Sequence, residues 1–220
     1  MTIGRRRGRR ATEEDQLHWH RPLGPYALSR LQAEQLVLRY AKENGLPAVA
    51  MCVSTTYGSR DWAMTPHGAM IAGAAFGKVP FVMKGIQLEV VGVDDAARAM
   101  ILAAERGRNG ERYIISEKMM TNAEIVRIAA EAARAPVPTR AVSLPVLYGM
   151  ALLGRFRGTQ ELLTLRSLRL MRAEAEVDHS KAVRELGWHP EPVEDSIRAA
   201  ARFWVELRAA MKKAKAAQTD

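Results

Sequence analysis

The 220 residues are 48% apolar and 26% charged, with no internal repeat or long low-complexity run, which is the composition of a globular chain able to bury a sizeable core. The single cysteine, Cys52, excludes an internal disulfide and points to a reducing, cytoplasmic setting. Of the net charge of +9, five charges sit on Arg5, Arg6, Arg7, Arg9 and Arg10, and the +4 left over excludes a strongly polyanion-directed body.

Residues 1–10 read as a basic, disordered and solvated tail, touching phosphate only non-specifically. No apolar stretch stands behind it, so it is not a secretory signal. Residues 11–22 read as a polar loop. Gly24 and Pro25 then open a helix, since proline's missing amide costs nothing in the first turn. Ala33, Leu36, Val37 and Tyr40 recur at helical spacing, and Asn44 with Gly45 stops it. Leu46 to Val53 is a continuous apolar run, which suits a strand buried on both faces of a parallel sheet. Ser54 to Asp61 reads as a polar loop at that strand's C-terminal end, where open α/β sheets bind ligands.

Pro66 to Phe76 is expected to be helical, followed by two short strands around Lys84 and Gly85. Asp94 or Asp95 is expected to cap a helix ending at Gly107, and Arg112 to Ser116 to form a strand. Thr121 and Glu124 have the spacing of a capping box, opening a helix that runs to about Arg134. Leu144 to Gly154 is about half of what a bilayer crossing needs and is followed by Arg155 and Arg157, so no membrane span is expected, though peripheral association stays open. Helices are expected over Val146 to Leu153, Gln160 to Met171, Asp178 to Leu186 with Gly187 as stop, and beyond Pro192. The five histidines show no metal-ligand spacing, and Met64, Met70, Phe81 and Met83 read either as core or as the lining of an apolar pocket.

Tyr26 and Arg30 carry the chemistry. Residues four apart on a helix share a face, and a fixed cation beside a phenol favours the phenolate. That brings a group of ordinary pKa about 10 toward useful acid–base work. A solvated surface pair is the plain alternative.

The run Tyr26, Ala27, Leu28, Ser29, Arg30, Leu31, Gln32, Ala33, Glu34 resembles the Tyr-x-x-Ser-Lys-x-x-Ala-Glu signature of extended short-chain dehydrogenases/reductases, the NAD-dependent epimerase/dehydratase family. Tyr57 with Gly58, then Val93 to Ala97, then Gly110 to Tyr113, then Val177 to Ala182 with Glu185 to Pro190, are similar to further landmarks of that family in its order. The resemblance implies an α/β fold: a partial Rossmann-type parallel sheet over residues 11–61, plus a smaller mixed α/β substrate domain over 62–220 with some elements returning to the sheet. It implies NAD or NADP as cofactor and hydride exchange with a substrate alcohol or carbonyl. Tyr26 takes the acid/base position, Arg30 stands where the family has lysine, and Val53 and Ser54 occupy the strand end beside the nicotinamide. A homodimer, or a dimer with a full-length relative, is the implied assembly.

Three departures accompany the resemblance. No Gly-x-x-Gly-x-x-Gly is present to bring backbone amides to a pyrophosphate. The family's catalytic serine has no counterpart. Arg30 keeps lysine's charge, but its planar fork addresses a ribose differently. The expectation is a truncated chain that is impaired alone, or a non-catalytic fragment retaining dimer or partner contacts. The resemblance puts Leu88 where nucleotide-sugar enzymes of the family carry a diphosphate-binding arginine, and Cys52 and Thr55 where they usually carry an arginine and an asparagine, so an apolar, steroid- or flavonoid-like substrate is expected instead.

Overall fold

A computed structural model describes residues 2–4, 6, 8–15, 24–157, 164–173 and 175–217. Among these, eight helices and seven strands follow in the order α1 (Gly24–Asn44), β1 (Ala50–Val53), β2 (Thr55–Tyr57), α2 (Pro66–Ala75), β3 (Val82–Met83), β4 (Gln87–Gly92), α3 (Val93–Arg106), β5 (Arg112–Ile115), β6 (Lys118–Thr121), α4 (Asn122–Ala132), β7 (Ala141–Val142), α5 (Leu144–Arg157), α6 (Leu165–Ala173), α7 (Ser180–Leu186) and α8 (Val193–Ala217). β1 pairs in parallel with β5, β2 in parallel with β4, β3 in parallel with β7, and β6 lies antiparallel on β4. Parallel pairs joined through helices are the α/β arrangement expected, and the fold is Rossmann-type.

The segment 50–57 is one extended run that changes partner at Ser54. Through Val53 it follows β5, and from Thr55 it follows β4. Residues 54–57 were expected as loop, but Tyr57 points inward and is buried while Thr56 faces out, giving strand periodicity over too few residues to be seen in the sequence. Conversely, the predicted strand Leu46 to Val53 begins only at Ala50, and Leu46 is exposed.

Three apolar clusters hold the frame. Tyr57, Leu88, Val90, Ile125, Ile197 and Trp204 join α2, α4 and α8 to β4. Val91, Ala99, Tyr113, Ile115, Leu186 and Trp188 lie between α3, α7 and β5. The Trp188 indole donates to the Asp95 carbonyl at 3.0 Å, so the closing loop is fastened as well as packed. The third cluster corrects the expectation of a wholly solvated tail: Ile3 and Ala11 are buried with Cys52, Ile114 and Val177. Ala11 bridges Val177, the Glu13 carboxylate accepts from the Ile114 amide at 2.9 Å, and Arg6 and Arg9 both pair with buried Asp15. The N-terminal segment thus caps the outer edge of β5, which would otherwise expose unpaired backbone. Arg6, Arg9 and Arg10 are thus each paired with a carboxylate while their side chains stay about half exposed.

Helix ends follow the expected chemistry in part. Thr121 and Glu124 form the capping box, and Gly187 ends α7 at φ 69°, a left-handed conformation that only glycine adopts freely. Neither Asp94 nor Asp95 caps α3; its N-cap is Gly92 with no side-chain bond. Both acids sit in the first turn, where they complement the helix dipole, and Asp95 is buried, accepting from the Glu191 amide at 3.2 Å.

Candidate active site

The direction of α1 determines where Tyr26 lies. Near the helix's end, Ala41 and Lys42 lie over Gly110, where an added Cβ would meet Lys42 at 3.4 Å and Ala41 at 3.8 Å, and the Gly110 amide donates to the Ala48 carbonyl just before β1. Midway along the helix, Glu34 receives a hydrogen bond from Cys52 in β1 at 3.6 Å. The helix therefore runs against the strand, and Tyr26, eight residues before Glu34, stands about 12 Å further toward the strand's C-terminal end. Ser54 lies only about 6–7 Å beyond Cys52 along the same direction. Tyr26 consequently rises past the end of β1, on the edge where ligands enter α/β sheets.

At that edge the Arg30 guanidinium lies 5.7 Å from the centre of the Tyr26 ring. Tyr26 is 62% exposed, so its hydroxyl is open to a ligand and not aimed into packed interior. The inner face of α1 is Leu31, Glu34, Leu38 and Ala41, and not the run Ala33, Leu36, Val37 and Tyr40, which faces outward. Glu34 can face inward because Arg112 meets it, Nε to Oε1 at 2.8 Å. The nitrogen approaches off the line of a good hydrogen bond, so the contact is mainly one of charge.

Val53 and Ser54 sit where β1 leaves β5. The Ser54 amide still donates to Ile115 at 3.0 Å, but its hydroxyl is buried and has no protein partner. An unmet buried hydroxyl is costly, of order 1–3 kcal/mol, and marks a place where a ligand or water atom belongs. Sequence reasoning placed Ser54 here by position alone; its orphaned oxygen is new information. Among the described residues, Tyr26 and Arg30 make no hydrogen bond or ion pair with Ser54.

The loop after β2 completes the rim. Arg60 (φ 68°) and Met64 (φ 48°) both hold the left-handed backbone that side chains disfavour. The Asp61 carboxylate accepts from the Thr65 amide and hydroxyl, the latter at 2.8 Å, and fixes the turn that displays Trp62. Gly58 is needed because a Cβ there would come within 2.1 Å of Val93. Trp62, missed in the sequence reading, is 69% exposed and edges against Phe203 at 5.0 Å. Of the methionines proposed for a pocket, Met64 is exposed, while Met70 and Met83 pack against the main core and Phe81 against the α5–α6 cluster. A polar cavity of about 220 Å³, lined by Lys42, Glu111, Arg112 and Lys181 among others, lies at the opposite end of the sheet, around the start of β5. It is not part of this edge. Burial lowers the His67 pKa, and its ring stands edge-on to Tyr57 at 6.0 Å. His18 and His20 lie outside the described residues.

Residues 4–116, half of the chain, match the model of the NAD dependent epimerase/dehydratase family. The chain belongs to that family. A dTDP-glucose 4,6-dehydratase of Neisseria gonorrhoeae is 26% identical over 189 residues, covering 84% of this chain and 51% of that protein. A second dTDP-glucose 4,6-dehydratase, from Escherichia coli, is 31% identical over 96 residues, 43% of this chain and 27% of that one. Among solved structures, gox2253 superposes with a TM-score of 0.78 at 32% identity, over 93% of this chain and 63% of its own. A nucleoside-diphosphate-sugar epimerase from Pseudomonas aeruginosa gives 0.74 at 26% identity, over 93% and 64%. The dTDP-glucose 4,6-dehydratase DesIV of Streptomyces venezuelae, solved with NAD, shares the fold at 0.70 and 21% identity. The chain spans about half the length of the gonococcal relative. NAD(P) is the family's cofactor.

Proposed function

We propose that this chain supplies the nicotinamide and substrate side of an NAD(P)-dependent oxidoreductase or epimerase acting on an alcohol or carbonyl. The observation that carries the reading is the exposed Tyr26–Arg30 pair beyond the end of β1, on the same edge as the unpartnered Ser54 hydroxyl. The orphaned oxygen fits the nicotinamide end of the cofactor, which supplies or accepts the hydride when bound. Val53 and Ser54 would lie beside it, and Arg30 would meet its ribose. Tyr26 would exchange a proton with the substrate oxygen, with Arg30 favouring the phenolate. Nothing in the 220 residues provides the glycine-rich loop for the pyrophosphate, so the chain on its own is proposed to bind weakly and work poorly.

An apolar substrate is preferred over a nucleotide sugar. Leu88, at the position where a diphosphate ligand is expected, is 2% exposed within the main core, and Cys52 is likewise buried. Neither side chain can meet a phosphate. Exposed Trp62 and Met64 offer apolar contact at the rim instead.

The test is titration of the chain with NADH and NADPH, with hydride transfer assayed on an apolar ketone and on dTDP-glucose. Weak saturable binding is expected, with turnover confined to the ketone. Tyr26→Phe should leave binding intact and reduce turnover about 10²- to 10⁴-fold. A second reading, a non-catalytic fragment that pairs with another copy or a relative, is favoured by one observation: Leu36, Val37 and Tyr40 form an outward apolar face on α1, 37–50% exposed. Absence of dinucleotide binding, together with self-association broken by Val37→Glu, would select it.

A further inference from the structure

The structure assigns the outer face of α5 to the surface of an anionic lipid bilayer. α5 carries no acidic residue, and one side of it is used: Leu147 and Ala151 are buried against Leu168 of α6. The other side is apolar as well. Val146, Met150 and Leu153 recur at i, i+4 and i+7 and are 53%, 41% and 54% exposed. A helix apolar on all faces belongs in a core or a membrane, and here only half of it has a core.

The charge around the stripe chooses the occupant. From Leu144 to Ala173 the chain has five arginines, Arg155, Arg157, Arg166, Arg169 and Arg172, against one acid, Glu161. Of these, Arg169 and Arg172 are exposed on α6, one and four residues after Leu168, which packs against α5. An apolar stripe on a helix pair rich in arginine and nearly free of acids is the pattern of a helix lying in the headgroup layer, its side chains dipping a few ångströms into the acyl boundary. Among the described residues no helix is long and apolar enough to cross a membrane, and the 14 residues of α5 are about 21 Å long, so this is contact along the surface. A second copy of the chain would meet the same arginines face to face. A nucleic acid would have no use for the stripe.

The experiment is co-sedimentation of the full chain with vesicles of phosphatidylcholine, and with vesicles of phosphatidylcholine and phosphatidylglycerol in equal amounts. Binding is expected only to the second and should weaken as salt is raised. The triple variant Val146→Ser, Met150→Ser, Leu153→Ser should stay in the supernatant. Arg169→Glu with Arg172→Glu should weaken binding by at least about fivefold for each charge removed. Lys212→Glu with Lys213→Glu, at the exposed end of α8, should bind as the parent does. All sites are exposed, and unchanged far-UV circular dichroism will confirm that each variant folds. The assignment is overturned if the parent binds neither vesicle, binds both equally, or is released by the α8 variant and not by the serine triple. It is also overturned if the triple variant abolishes self-association in the absence of lipid.

Discussion

Replacing Glu34 by Gln tests how α1, and with it Tyr26, is held on the sheet. The Glu34 and Arg112 side chains are only 12% and 10% exposed, with Arg112 Nε 2.8 Å from Glu34 Oε1. Arg112 also donates to the Glu13 carbonyl at 2.7 Å and to the Thr2 carbonyl at 3.3 Å, and the Thr2 hydroxyl and Cys52 thiol both reach Glu34. One carboxylate thus gathers α1, β1, β5 and the N-terminal segment. Removing its charge leaves a buried guanidinium without a counter-ion, a loss of about 3–5 kcal/mol. At roughly 2–4 °C per kcal/mol for a chain of this size, the melting midpoint should fall by about 6–20 °C. The double variant Glu34→Leu, Arg112→Met removes both charges and should recover much of that loss, because desolvation of the pair is then also avoided. Urea and thermal unfolding of the parent, both single variants and the double give the coupling. A Glu34→Gln protein within about 1 kcal/mol of the parent, or a double variant as unstable as the sum of the singles, would refute the reasoning.

Three further outcomes are expected. Cys52, buried and pushed up to a pKa of about 11 chiefly by desolvation, should not react with a thiol reagent at pH 8 in the native chain and should react fully in urea; fast native labelling would contradict its burial. Burial raises the Glu89 pKa despite the Ser116 hydroxyl and Val177 amide that donate to it. The folded chain therefore holds a proton that the unfolded chain releases. Stability should fall as pH rises from the ordinary carboxylate value through Glu89's raised one, and Glu89→Gln should flatten that part of the urea-midpoint profile. Thr121→Ala removes the hydroxyl that accepts from the Glu124 amide, leaves the Thr121 amide bond to the Glu124 carboxylate, and should cost about 1 kcal/mol in the same assay.

Local signals were the ones legible in the sequence. The capping box, the Gly187 stop and the helix after Pro192 each depend on neighbours in the chain, and all appear where expected. The α/β class and the place of Tyr26 beside Arg30 were legible for the same reason. Misreadings arose where distant partners decide. The inner face of α1 looked wrong for burial because it includes Glu34, whose counter-ion lies 78 positions away in β5. The arginines near the start looked solvated because Asp15, which pairs with Arg6 and Arg9, sits in a stretch read as polar loop. β2, β6 and β7 are two to four residues long and are defined by their pairing, which no periodicity reveals. The orphaned Ser54 oxygen is visible only once β1 and β5 part company with β2 and β4.

Saturation-transfer NMR on the chain mixed with NADH addresses the nicotinamide assignment most directly. The nicotinamide ring and its ribose protons should receive saturation while the adenine protons receive little, and Ser54→Tyr, which fills the strand end, should remove the signal. Saturation on the adenine alone, or an unchanged pattern in the Ser54 variant, would show that the cofactor's reactive end is bound elsewhere.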